Sequence, residues 1–305
     1  MSNSASSKTQ SSNSASSNTL RVGLVQMGMT ADVSSNLEKA GRMIGDAARA
    51  GAEMICLPEL FASPYFCTVE HAPVDYSEPI PGRTSQALSE FARKHRVVLV
   101  GGSIHEKTQE TPARLFNTTV VFDEAGNDIG HYRKMHIPHD PEFYEKNYFL
   151  PGDLGYQVFS TKKANVSALI CFDQWFPEAA RASALLGASV LFYPTAIGTV
   201  QGIDEWEGRW QESWENSMRG HAIANSVWVC AVNRVGREGR SEFWGGSFVC
   251  DPWGKTIVRA GSGEEIVVQE INLDLGPKVS EGWGFMRNRR PTSYGLITTE
   301  IQVPK

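Results

Sequence analysis

Short apolar runs rich in β-branched residues alternate with amphipathic helical spacing through the first two thirds of this chain. That alternation restricts the possible fold more than any other feature of the sequence. Residues 20–27 read as a buried strand, and residues 36–50 place Leu37, Ala40, Met43, Ile44 and Ala47 at helical intervals before a stop at Gly51. Residues 52–57 form a second apolar run, 85–95 a second helix, and 97–100 a third run that ends at Gly101-Gly102. Residues 115–122 and 128–132 flank Asp123-Glu124-Ala125-Gly126, a composition that predicts a hairpin turn. Strands at 166–170 and 189–193 enclose a helix at 178–186 that Pro177 is suited to open. A helix at 209–225 then leads into meander-like strands at 227–232, 247–250, 256–258 and 266–271. Strand–helix alternation followed by a meander predicts an α/β fold with a mixed sheet, and no fixed-period repeat interrupts it.

Three segments stand outside this pattern. Residues 1–18 are almost wholly Ser, Asn, Ala, Thr and Gln, a composition that cannot bury enough apolar surface to offset ordering, and they read as a disordered tail. Residues 135–152 hold three prolines and many aromatics without periodicity, which predicts a long functional loop. Gly152-Asp153 offers a conceivable boundary, but one domain from residue 19 to 305 keeps the chemically interesting residues together.

Composition excludes several function classes. Hydrophobic residues at 41% and charged residues at 21% suit a folded globular chain, and a formal charge of −5 provides no general field for a nucleic acid backbone. No apolar run is long enough for a membrane span, and the N-terminus lacks a secretory core. The five cysteines (Cys56, Cys67, Cys171, Cys230 and Cys250) form no close pair, so reduced thiols in a cytoplasmic setting are expected. Four of them read as core or pocket-wall residues; Cys171 does not, because it falls at a strand-to-helix junction.

Glu59 follows an apolar run in Leu57-Pro58-Glu59-Leu60-Phe61, and Lys134 sits where the hairpin's second arm runs out. With Cys171 in Ile170-Cys171-Phe172-Asp173-Gln174-Trp175-Phe176-Pro177-Glu178, they supply a base, a fixed positive charge and a thiol. A thiol is weakly ionised at neutral pH, so a nearby ammonium is expected to favour the thiolate and a carboxylate to take its proton. Attack on a carbonyl creates an oxyanion, for which Lys134 and the backbone N–H of Phe172 are the candidate donors. His131, His136, His139 and Asp140 match no standard zinc spacing, and Lys134 nearby opposes a cation, so neither metal nor cofactor is expected.

These three contexts, in this order, resemble the nitrilase superfamily of carbon–nitrogen hydrolases over nearly all of residues 20–300. The resemblance implies a four-layer αββα sandwich, a Glu–Lys–Cys triad at Glu59, Lys134 and Cys171, and a further active-site carboxylate at Glu145. It also implies a small-molecule substrate and assembly into homo-oligomers of two or more subunits. Within the superfamily, the segments 134–141, 144–149, 151–153, 173–181, 193–198 and 287–291 are most similar to N-carbamoylputrescine amidohydrolases. That similarity implies hydrolysis of a linear N-carbamoyl amine through a covalent intermediate on Cys171. The rival readings are an N-carbamoyl amino acid or β-ureido acid hydrolase, an aliphatic amidase, and a non-catalytic assembly protein.

Tyr65, His136, Asp173, Trp175, Thr195 and Ala196 are the substrate-binding candidates. After Gly198, many such enzymes continue Ser-Glu-Pro where this chain has Thr199-Val200-Gln201. Asp204 and Glu205, with Glu207 nearby, are therefore candidates for a distal amine, although Asp204 and Glu207 also have capping-box spacing. Trp210, Trp214 and Met218 read as core or subunit interface. Residues 276–305, with Arg287, Arg289 and Arg290, read as a C-terminal extension at a subunit interface.

Overall fold

The computed structural model describes residues 18–203 and 209–300. Its first half is laid down as β1 (Thr19–Gln26), α1 (Val33–Arg49), β2 (Met54–Cys56), α2 (Arg83–His95) and β3 (Val98–Val100), followed by β4 (Ile104–Lys107), β5 (Leu115–Phe122) and β6 (Asp128–Arg133). Asp32 caps α1 by accepting from Ser34 N at 2.8 Å, and Leu37, Ala40, Ile44 and Ala47 form its buried stripe. β1, β2 and β3 are parallel neighbours, β16 flanks β1 antiparallel, and β5 joins β3, β4 and β6 in antiparallel pairs. Here β16 is the last strand, Glu265–Asn272.

The second half repeats the plan. It runs β7 (Phe159–Ser160), β8 (Asn165–Ala168), α3 (Pro177–Leu185), β9 (Val190–Pro194), β10 (Gly198–Val200), α4 (Trp210–Asn225) and β11 (Trp228–Val232). Then come β12 (Val235–Glu238), β13 (Ser241–Trp244), β14 (Phe248–Cys250), β15 (Thr256–Arg259), β16 and α5 (Leu275–Trp283). The second sheet has the order β15-β14-β11-β9-β8-β7, with β8, β9 and β11 parallel; β10, β13 and β12 make a separate ribbon.

Alternation of side chains along each strand explains how the layers stack. Val22 and Leu24, Met54 and Cys56, and Val98 and Val100 pack in one cluster with Val166, Ala168, Val190, Phe192, Val229 and Ala231 of the second sheet. Their neighbours Val25, Ile55 and Leu99 join Ile44, Ala47, Leu88 and Ala92 from α1 and α2. Ala179, Ala180, Trp214, Met218 and Ala222 of α3 and α4 close the second sheet from outside. The order helix, sheet, sheet, helix is the expected αββα sandwich.

The strands and helices expected from periodicity are present within a few residues of their observed bounds. β4, β7, the β10–β13–β12 ribbon and α5 were not expected: they are short, half-exposed or interrupted by Gly and Pro, so no apolar period marks them. The loop at 135–152 contains one 3-10 turn, Glu145–Asn147. Gly152 N donates to Lys134 O at 2.8 Å, which ties the conceivable boundary at Gly152-Asp153 back to the first half.

Candidate active site

Three strand ends meet at one place. Glu59 follows β2, Lys134 follows β6 directly, and Cys171 follows β8, so the two sheets deliver their chemistry from carboxyl ends, where α/β proteins build sites. Leu60, beside Glu59, has φ +48° and Cys171 has φ +41°, a left-handed conformation uncommon outside glycine. Leu60 N donates to Ser103 Oγ at 2.9 Å, which holds the first of these turns. Cys171 opens a 3-10 turn, Cys171–Trp175, that leads through Pro177 into α3. Phe172 lies in the first turn, where backbone N–H groups have no partner within the helix.

Glu59, Lys134 and Glu145 have fully buried side chains. Lys134 Nζ donates to Glu59 Oε1 at 2.8 Å and to Glu145 Oε1 and Oε2 at 2.8 and 2.7 Å. Asn117 Nδ2 donates to the same Glu59 oxygen at 2.8 Å, and Asn117 O accepts from Lys134 N at 2.8 Å. Glu59 Oε2 has no hydrogen-bond partner among the described residues, which leaves a buried acceptor. Cys171 Sγ donates weakly to Ala196 O at 3.7 Å.

The electrostatics revise one expectation. Burial pushes the Cys171 thiol well above its ordinary value, Glu59 and Glu145 push it further, and Lys134 only partly opposes them. Together, burial and the two carboxylates thus favour the thiol over the thiolate at Cys171. Burial also raises Glu145 to about 7, against the pull of Lys134 and with a push from Glu59. For Lys134, burial favours the neutral amine, yet Glu145 and Glu59 outweigh it and hold the ammonium well above the usual lysine range.

Cys171 and Glu145 line a cavity of about 690 Å³ together with Phe143, Phe172, Gln174, Trp175, Ala196, Ile197, Ile203 and Trp210. Its other charged lining residues, among those described, are Asp140 and Arg240. Of the expected substrate-binding residues, Trp175 and Ala196 lie on this wall. Tyr65 is buried and donates through Oη to Glu145 Oε1 at 2.6 Å. Thr195 is buried, its hydroxyl on Tyr193 O and Gln174 Oε1 at 3.0 and 3.3 Å. His136 and Asp173 bond to each other at 2.7 Å. Asp204, Glu205 and Glu207, like the tail through residue 17, lie outside the described residues. Trp214 and Met218 are core as expected, but Trp210 faces the cavity. His131 pairs with Asp128 at 2.6 Å and His139 packs on Tyr144, so these histidines do not converge.

Periodicity did not reveal Asn117 or Gln174. Asn117 was marked by a polar residue inside the apolar run of β5, the one available signal. Gln174 is fully buried, and its Oε1 accepts from Trp214 Nε1 at 2.7 Å. Arg240 lies on the ribbon whose strands were not expected.

The fold and site define a hydrolase with a buried thiol, two buried carboxylates and a buried ammonium gathered at its strand ends. The chain belongs to the carbon–nitrogen hydrolase family of the nitrilase superfamily, and the model described as Carbon-nitrogen hydrolase matches residues 21–278. It is 40% identical over 288 residues to an N-carbamoylputrescine amidase of Solanum lycopersicum, covering 91% of this chain and 94% of that protein. It is 36% identical over 285 residues to a citrullinase of Francisella tularensis, covering 91% and 98%. A solved carbon–nitrogen hydrolase from Helicobacter pylori superposes with a TM-score of 0.88 at 37% identity, covering 93% of this chain and all of that one.

Proposed function

We propose that this enzyme hydrolyses a linear N-carbamoyl amine, N-carbamoylputrescine, to putrescine, carbon dioxide and ammonia. The observation that carries the reading is the Glu59–Lys134–Glu145 cluster beside Cys171, where one Glu59 oxygen has no hydrogen-bond partner among the described residues and Glu145 and Cys171 line a largely apolar cavity. The aromatic and aliphatic wall suits a methylene chain, and the similarity to plant N-carbamoylputrescine amidases supports the substrate.

In this reading Glu59 Oε2 accepts the thiol proton while sulfur bonds to the ureido carbon and the carbonyl electron pair moves to oxygen. Lys134 and Phe172 N–H receive the oxyanion. The oxyanion collapses, the C–N bond breaks, and Glu59 returns the proton to the departing nitrogen. Water then attacks the thiocarbamate carbon, gives one proton to Glu59, and displaces Cys171, which recovers that proton; the carbamic acid released then breaks its remaining C–N bond to give carbon dioxide and the second nitrogen product. Glu145 holds Lys134 and adjusts its charge as the oxyanion forms and decays.

A second reading is favoured by Arg240. A guanidinium on the cavity wall pairs readily with a carboxylate, which suits an N-carbamoyl amino acid. Ammonia release from N-carbamoylputrescine, citrulline, N-carbamoyl-β-alanine and an aliphatic amide separates the readings, with Cys171→Ala as control. Preference for N-carbamoylputrescine, lost in the variant, is expected. Preference for a carboxylate-bearing substrate selects the second reading, and turnover retained by Cys171→Ala overturns the mechanism.

We also propose that residues 276–300 pack against a second copy of the chain in a homo-oligomer, since Trp283 is 50% exposed and Leu296 84%; residues 301–305 of the expected extension lie outside the described residues. A cytoplasmic location is proposed from the five free, buried thiols. No helix among the described residues is long and apolar enough to cross a membrane.

A further inference from the structure

Asp173 stands two residues after the nucleophile, and its side chain is fully buried. Its Oδ2 accepts from Ile170 N at 3.0 Å and from Tyr132 Oη at 2.7 Å. Its Oδ1 accepts from His136 N at 3.0 Å and bonds His136 Nδ1 at 2.7 Å. Phe176 stacks on the far side of the His136 ring, with centroids 3.7 Å apart and planes within 7°.

The bond to Ile170, with Asp173 N returning to Ile170 O at 3.1 Å, is an ordinary cap for the turn that carries Cys171. A cap explains one of the four contacts. The other three reach the residues two before and two after Lys134, on the opposite sheet. One carboxylate thus grips both flanks of Lys134 and the residue preceding Cys171.

We propose that Asp173 is a positioning residue that sets the separation of Lys134 from Cys171, joining the ammonium's strand end and the thiol's strand end into one body. The proposal rests on the reading in which both groups act on one substrate carbonyl. Cys171 sits in a left-handed turn and Lys134, its backbone held by Asn117 O and Gly152 N, opens a long loop; Asp173 bonds both strand ends directly. Misplacement by about 1 Å is enough to cost roughly a hundredfold in rate.

The bonding pattern supplies a discriminating variant. Each carboxylate oxygen serves one backbone N–H, so Asp173→Asn must aim its NH2 at either Ile170 N–H or His136 N–H, whichever way the amide is turned. Asp173→Asn is expected to lower kcat by about 10- to 100-fold at unchanged KM, with the functional sites counted by the burst of the first turnover. A turnover number per burst site equal to wild type would show a merely structural role, and a raised KM at wild-type kcat would make Asp173 a substrate contact; either overturns the proposal. Alkylation of Cys171 by iodoacetamide at fixed pH is a readout independent of substrate identity. It is expected to slow in Asp173→Asn as Lys134 drifts from the sulfur, and a wild-type rate overturns the proposal even if the substrate assignment fails. Should Asp173→Asn not fold, Tyr132→Phe deletes one bond and keeps both backbone contacts. A several-fold loss of kcat at unchanged KM is then expected, and wild-type kcat overturns it.

Discussion

Lys134 Nζ has three N–H groups, and its three contacts are all carboxylate oxygens, so an oxyanion can be served only when one of those contacts is released. Glu145 holds two of them, which makes its charge the natural control on Lys134. It also helps to hold the Cys171 thiol protonated. Glu145→Gln is therefore expected to shift the rise of Cys171 alkylation with pH toward lower pH, relative to a wild-type rise expected above the ordinary thiol range. Iodoacetamide kinetics across pH check this. Glu145 also carries a stability signature: its folded value, about 7, lies above the ordinary 4.5, so the folded state binds the extra proton between them. The contribution is full below about pH 4.5 and declines as pH rises toward 7. Urea unfolding of wild type against Glu145→Gln should show the wild type losing ground steadily across that window.

The elements around the site are held by close backbone approaches as much as by side chains. Gly102, between β3 and β4, has φ +60°, and a Cβ there would stand 2.2 Å from Pro58 O, immediately before Glu59. Both the left-handed backbone and this contact require glycine. Gly102→Ala is expected to destabilise the fold by about 1–3 kcal/mol and to displace the β2 turn, lowering kcat. Denaturant melts and kinetics of the surviving folded enzyme check the two parts separately. The helix after β8 follows a comparable logic, since Pro177 at its start fixes where the turn carrying Cys171 must end. Pro177 and the three apolar runs were legible in sequence because each is a local signal. The ribbon that brings Arg240 to the cavity was not, since its residues have neither apolar alternation nor turn chemistry strong enough to stand out.

At the scale of the whole molecule, each sheet buries one face on its helices and the other on the opposite sheet, so neither half is complete alone. The proposed C-terminal contact extends the same logic beyond one chain: Phe285, Leu296 and Ile297 leave apolar surface exposed after α5. Deleting residues 285–305 removes this surface while leaving α5 in place. The truncated chain is expected to form particles of fewer subunits by light scattering with its helix and strand content intact; an unchanged number of subunits would place any interface elsewhere.

What the sequence determined by itself was local. Glu59, Lys134 and Cys171 stood out because each lies in a short distinctive context at the end of an apolar run or a hairpin arm, and the structure brings them together; Glu145 was implied by the family resemblance. The αββα order followed from family resemblance; composition and period alone led only to a mixed α/β sheet. Tertiary structure decided which polar groups meet. Asn117 sits 58 residues from Glu59, and Asp173 sits 41 and 37 residues from Tyr132 and His136, the residues on either side of Lys134 that it bonds. No local period encodes such a pairing, because a hydrogen bond between two strand ends depends on how the sheets stack. The same stacking placed two carboxylates around one ammonium in a dry interior, where burial and the carboxylates push the thiol well above its ordinary range, against the expectation drawn from an isolated lysine.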